Sequence, residues 1–147
     1  MFFIFTLLSC NLVETFGVAE KERSGKEVYQ TFCVHCHQAN GQGVATRYPP
    51  LDQSQWLKGD LPVKIILHGL KGPIEVAGQN YNNVMAPWGR VLTDHEIAGV
   101  VNYLRSSWGN DSLYASEPPL KKSDVKKIRE QFIGASNWTA EQLKNSQ

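Results

Sequence analysis

The residues best equipped for chemistry stand together as Cys33-Val34-His35-Cys36-His37. Two thiols three positions apart share one side of a helix, and an imidazole follows at once. Both sulfurs can then reach the vinyl groups on one edge of a porphyrin, while His37 offers a ring nitrogen to the iron. Two thioether bonds and one Fe–N bond would come from five residues, and covalent attachment keeps the cofactor from being lost outside the cell. The expected cofactor is therefore one haem c, with Cys33 and Cys36 as its thioether anchors and His37 as the proximal iron ligand.

Three rival chemistries use the same residues. A structural zinc site needs a second pair of Cys or His ligands, and only Cys10, His35, His68 and His95 remain, scattered along the chain. A thioredoxin-like dithiol expects a βαβ setting, for which the chain has no pattern. The third reading is a buried, inert cysteine pair. The cysteine count is three, and an odd number argues against a disulfide framework.

The second iron ligand follows by elimination. With Met1 removed on maturation, Met85 is the only methionine left. Lone methionines often fill cores, but Asn82, Asn83 and Pro87 predict irregular backbone here, suited to wrapping the far face of a haem. His68 and His95 are the alternatives, each also explained as a helix residue, and His35 is expected to face solvent. A thioether sulfur favours ferrous iron, so His/Met ligation raises the reduction potential. With both axial positions filled, neither O₂ nor peroxide has a place to bind. That combination points to one-electron carriage rather than catalysis.

The elements that must hold these groups read as helices. Ser24 and Glu27 form a capping box, and Val28, Tyr29 and Phe32 mark an apolar face leading into the cysteines. Residues 40–50 predict a loop. A second helix is expected from Asp60 to Gly69, with Val63, Ile66, Leu67 and Leu70 on one side. The Gly- and Asn-rich stretch through Met85-Ala86-Pro87-Trp88 predicts another loop. Thr93 and Glu96 cap the clearest helix, with Leu92 stapled to Ile97 and a stripe of Ile97, Val100, Val101, Leu104 and Trp108. Beyond Gly109, Ser123 is expected to cap a short helix and Thr139 a final turn, stapled by Trp138 and Leu143. No β-alternation is read anywhere, so the expected fold class is all-α.

The chain has 147 residues, 41% hydrophobic and 20% charged, which suits one globular unit with a modest core. A net charge of +1 and the lack of a dense basic stripe exclude nucleic acid as an expected partner. Residues 1–9 are apolar but too few to span a bilayer. They resemble the tail of an export signal, although its usual basic start is missing. Leu7-Leu8-Ser9-Cys10 resembles a lipoprotein box in which Cys10 carries a lipid; cleavage near Gly17 or Ala19, releasing a soluble protein, and an uncleaved apolar segment are the alternatives. The expected organisation is an export segment over 1–19, a haem domain over 20–109 and an extension over 110–147 packed on it. The expected location is periplasmic or in the cell envelope.

From Gly25 to Gly109 the sequence resembles class I cytochromes c, most nearly the bacterial domains that accompany periplasmic dehydrogenases, copper nitrite reductases and terminal oxidases. Gly25, Tyr29 and Phe32 before Cys33 match the first helix of that family, and Val100, Tyr103 and Leu104 match its last. The resemblance implies that these helices cross closely, with Gly25 permitting the approach. It also implies that the loop Tyr48-Pro49-Pro50-Leu51 supplies a carbonyl to the proximal imidazole, and that residues 68–74 and 81–85 lead to the distal Met. Three main helices around one haem are implied, as are redox protein partners, with service as a haem subunit of a dehydrogenase, reductase or oxidase complex as the alternative role. Two departures stand out. Ala86 separates Met85 from Pro87, where the family usually has Pro directly after Met. Lys64 stands where relatives often carry Arg, and it can neutralise a haem propionate but not fork to it. Trp56 and Trp88 are candidates for packing along the haem, or equally for ordinary core aromatics.

Overall fold

The motif-bearing helix begins where the capping box places it. In the computed structural model, which describes residues 21–147, Ser24 Oγ accepts from the Glu27 amide at 3.3 Å and Glu27 Oε2 accepts from the Ser24 amide at 2.7 Å. The export segment, Cys10 and Met1 lie outside the described residues. Helix α1 (Gly25–Val28) continues through a π-helical turn at Tyr29–Cys33 into α2 (Val34–His37). Thr31 Oγ1 donates to the Glu27 carbonyl at 2.7 Å, a back-bond that competes with regular helix hydrogen bonding just before the wide turn. The π turn rotates the cysteines relative to α1, and such turns gather at functional sites. Gln38, at φ 62°, ends the helix directly after His37.

Helix α4 (Asp94–Arg105) lies across α1. Its capping box is complete, with Thr93 N–H donating to Glu96 at 2.9 Å and Glu96 N–H donating to Thr93 Oγ1 at 3.2 Å. At the crossing, a Cβ on Gly25 would stand 2.0 Å from the Gly99 carbonyl oxygen, so only glycine permits this approach. Leu92 and Ile97 are buried in one cluster, as the staple requires. The other oxygen of Glu96 accepts from Arg23 Nε at 2.5 Å, tying the segment before α1 to α4.

That bond gives an acid-stability prediction. The hydrogen bond from Arg23 holds the Glu96 carboxyl below its ordinary value of 4.5, with desolvation opposing. A carboxylate depressed in the folded state contributes fully above its unfolded pKa, and the contribution is lost as pH falls through the folded value. Glu96→Gln should therefore lower stability at neutral pH and narrow its deficit against the parent as pH drops below about 4.5. Urea unfolding at several pH values measures this. A deficit independent of pH would rule the linkage out.

Helix α3 (Leu61–His68) runs between Asp60 and Gly69, as the apolar spacing predicts. The next segment corrects the loop expectation. Residues Leu70–Val76 (β1) and Gln79–Met85 (β2) form an antiparallel hairpin in which Leu70 faces Met85 and Val76 faces Gln79. Ala77 and Gly78, at φ 50° and 76°, make the tight turn that suits hairpin twist. Leu70, Ile74 and Val76 are buried while Lys71, Pro73 and Glu75 are exposed, a two-residue period masked by Gly72 and Pro73. Proline is tolerated because a two-stranded ribbon is all edge. Among the described residues this hairpin is the only sheet, and the fold is otherwise helical.

Two further expectations are corrected. Helix α4 stops at Arg105 because Ser106 and Ser107 hydroxyls take its last carbonyls, so Trp108 lies outside the stripe at φ 56°. Trp108 packs instead on Tyr29, with ring centroids 5.1 Å apart, and on the bare face of Gly41. After α5 (Asn110–Leu113), helix α6 (Lys122–Gln131) starts one residue before Ser123, which is exposed; the Asp124 carboxylate accepts from the Lys121 amide at 2.9 Å and does the capping. Helix α7 (Ala140–Asn145) begins at Thr139 as expected. Helix α6 packs on α3 and α4, and α7 packs on β1. No helix among the described residues is long and apolar enough to cross a membrane.

The buried apolar residues form two clusters. One gathers Val28, Ile97, Val100, Val101 and Leu104 with Val125 and Ile128 of α6. The other gathers Trp56, Ile65, Leu70, Ile74, Val76 and Tyr81 with Leu143 of α7. Met85 packs against both.

Candidate cofactor site

An apolar cleft lies between the two clusters, the concave and apolar-lined kind of place in which small molecules and cofactors bind. Val100, Leu104 and Ile66 come to it from the first cluster, and Trp56, Ile65 and Ile74 from the second. Protein interiors pack as densely as organic crystals, so an apolar opening between two core clusters marks where a flat apolar body completes the core.

Cys33 and His37 line one part of the cleft, and Met85 lines it as well. Cys36 joins them toward the mouth, with Arg47, Tyr48, Val84 and Trp88. Thus the structure brings all four sequence-predicted site residues to one connected opening. Met85 reaches it as the last residue of β2 and not from an irregular loop. His95 stands exposed at 3.6 Å from Glu22, His35 is exposed, and neither lines the cleft. His68 is buried elsewhere, its Nδ1 3.1 Å from the Ala135 carbonyl and its ring edge-on to Trp138.

The loop after Gln38 explains the state of His37. Gly43, at φ 64°, lacks a Cβ that would come within 2.2 Å of the Tyr48 carbonyl oxygen, so residues 48–50 can fold back closely. This brings the Pro49 carbonyl 2.9 Å from His37 Nδ1. A carbonyl only accepts, so Nδ1 carries the proton and Nε2 keeps its lone pair. Burial pushes the His37 pKa down, against the Pro49 bond, and the neutral ring is the ligating form. The same carbonyl fixes the ring's orientation, as outer partners of metal-binding histidines do.

The Cys33 thiol does not suit redox exchange. Cys33 and Cys36 are free, and burial pushes the Cys33 thiol up to about 12, with Cys36 adding to the effect. A dithiol nucleophile needs the opposite shift. The zinc reading also lacks support, since no three His, Cys, Asp or Glu side chains converge on a metal position among the described residues. The residues present therefore fit a covalently anchored porphyrin: apolar walls, two thiols at the edge, a neutral imidazole and a thioether.

At four places the structure decides what the sequence left open or did not reveal. Lys64 does not line the cleft; its fully buried Nζ is 2.8 Å from Asp60 and donates to the Ser146 carbonyl at 2.8 Å. Trp56 lines the cleft and is fixed by an Nε1 bond to the Glu75 carbonyl at 2.8 Å. The hairpin face of Ile74 and Val76 is a wall that sequence reading missed, although its alternation was there to be counted. Trp88 packs at a tilt against Phe32, with ring centroids 5.2 Å apart, linking the cysteine helix to the chain beyond Met85.

Residues 23–108 match the Cytochrome c family. A cytochrome c-552 of Thermus thermophilus is 34% identical over 87% of this chain and 89% of its own length. The cytochrome c subunit of a quinone alcohol dehydrogenase from Gluconacetobacter polyoxogenes is 30% identical over 79% of this chain but only 25% of its own length. A cbb3-type cytochrome c oxidase subunit of Azorhizobium caulinodans is 31% identical over 58% of this chain and 29% of its own. Together with the C-x-x-C-H pattern and the cleft it serves, these likenesses establish that the chain belongs to the cytochrome c family, with haem c as its cofactor and electron transfer as its work.

Proposed function

We propose that this protein is a monohaem one-electron carrier in which Cys33 and Cys36 anchor the haem and His37 and Met85 occupy its two axial positions. The observation that carries the reading is the apolar cleft dividing the core, with Cys33, His37 and Met85 all on its walls. When bound, the haem supplies an iron that alternates between ferric and ferrous states. The protein's residues do the rest. The Pro49 carbonyl orients His37 and raises its basicity. Apolar walls exclude water, which limits reorganisation when the charge changes. Met85 favours the ferrous state and closes the distal face to small ligands.

Donor and acceptor are redox proteins of the same compartment, meeting the protein at the cleft mouth. Three N-terminal forms are open to one test: a lipid on Cys10, cleavage near Gly17–Ala19, or an uncleaved apolar segment, distinguished by the mass of the N-terminal peptide. Residues 20–109 form the haem domain and 110–147 an extension upon it. The second reading, a subunit of a larger oxidoreductase, draws on the dehydrogenase and oxidase subunits among the relatives. Co-purification with a catalytic chain would favour it.

An optical redox titration of the protein matured with haem tests the carrier reading. A single reversible one-electron transition with a Met–iron absorbance signal in the ferric form is expected. Ready binding of cyanide or carbon monoxide, without that signal, would contradict it.

A further inference from the structure

Met85 stands at the end of the hairpin, and polypeptide from outside the hairpin packs along both of its flanks. The chain leaves α3 at His68, runs out along β1, returns along β2 to Met85, and rejoins α3 through Trp88 N–H to the Ile66 carbonyl at 2.8 Å and Gly89 N–H to the Leu67 carbonyl at 3.2 Å. Beyond that return, residues after 120 tie down both flanks.

On the outgoing flank, residues 137–138 run alongside the start of β1, with an isolated parallel bridge between Leu70 and Trp138. Asn137 N–H donates to the His68 carbonyl at 2.6 Å, Trp138 N–H to the Gly69 carbonyl at 3.0 Å, and Lys71 N–H to the Trp138 carbonyl at 2.8 Å. The segments converge at Gly69: a Cβ there would stand 2.7 Å from the Met85 carbonyl oxygen and 3.2 Å from Asn137 Oδ1. On the returning flank, Arg129 of α6 donates from Nε to Asp94 at 2.7 Å, from Nη1 to the Gly89 carbonyl, and from Nη2 to the Leu92 carbonyl at 3.2 Å. A planar guanidinium can hold three acceptors in one fixed array, which an ammonium cannot. The far end of the segment is pinned by Lys64, whose buried ammonium holds Ser146 through its carbonyl and hydroxyl and sits 4.9 Å over the Phe132 ring.

We propose that residues 129–146 act as a clamp that positions Met85, with Arg129 and Lys64 as its two fastenings. This inference rests on Met85 being the distal ligand and adds what sets the strength of that ligation. None of the clamp's hydrogen bonds reaches the Cys33–His37 side. Loosening it should therefore free the distal face while the thioethers and His37 stay in place. The electron carrier is then also guarded against acting as a small-ligand binder, by residues 129–146, which lie outside the span matched to the family.

The test uses the full chain matured with haem, as Arg129→Ala, Arg129→Lys, Lys64→Met and the exposed control Lys127→Ala. Carbon monoxide binding to the ferrous protein, the ferric Met–iron absorbance and amide exchange over residues 70–89 are read well below the unfolding temperature. Arg129→Ala should gain carbon monoxide affinity on the order of tenfold, the usual scale of coupling between linked sites. It should also weaken the Met–iron signal and speed exchange at 84–89 while leaving 25–37 unchanged. Arg129→Lys should recover part of this, and Lys64→Met, which keeps the side-chain volume, should act in the same direction should Arg129→Ala fail to fold. Unchanged carbon monoxide binding in folded variants would overturn the clamp. A parent protein that has no Met–iron signal would instead remove the ligand assignment beneath it.

Discussion

Replacing Met85 by alanine is expected to lower the reduction potential by a sizeable part of the roughly 0.8 V that axial-ligand choice spans, and to open the ferrous protein to carbon monoxide. Both effects follow from the loss of one sulfur. The thioether stabilises ferrous iron, and water or nothing in its place does not. The packing gives no substitute, because His68 is held against Ala135 and Trp138 and His95 is outside, so neither lines the cleft. Met85 also packs against both apolar clusters, so the variant should lose stability, by less than the ~2–5 kcal/mol of a fully buried methionine because this one is only partly buried. Redox titration with and without carbon monoxide measures the first two effects. An unchanged potential with no ligand binding would mean that another group holds the iron.

The second large effect is expected at the helix crossing. In Gly25→Ala the new methyl would fall 2.0 Å from the Gly99 carbonyl oxygen, a distance no carbon atom tolerates, and the obstacle is backbone rather than a movable side chain. The α1–α4 pair must separate, carrying Cys33 and His37 away from Val100 and Leu104 across the cleft. A loss of about 3 kcal/mol or more is expected, beyond ordinary overpacking, because two whole helices shift. The partner position gives the contrast. A Cβ on Gly99 would stand 3.3 Å from the Gly25 nitrogen, tight but close to real contacts, so Gly99→Ala should cost much less. Denaturant unfolding of both variants, with haem content measured after maturation, tests the pair. Equal losses would mean that the crossing is not as close as described.

Much of this molecule was legible in the residues alone, for local reasons. Ser24 with Glu27, Thr93 with Glu96 and Thr139 with Gln142 are capping boxes whose partners are three residues apart, and all three helices start where those pairs stand. The site cysteines and His37 are contiguous, so their juxtaposition needed only a helix. The hairpin was hidden because Gly72, Pro73 and three asparagines are loop formers by propensity, while pairing across the Ala77-Gly78 turn and burial of Ile74 and Val76 override that preference. The π turn left no signal beyond Thr31. Lys64 was read toward a propionate from its place in the family pattern, and only the fold shows that Ser146, 82 positions away, takes its ammonium. Contacts of that separation depend on where the whole chain has gone.

Direct chemical analysis of residues 33–37 bears hardest on the account. Protein matured in a cell envelope would be extracted with acidified acetone, digested, and its peptides weighed. The peptide holding Cys33, Cys36 and His37 should retain the porphyrin through two thioether links. Colour passing into the acetone, or both cysteines recovered as free thiols, would contradict it.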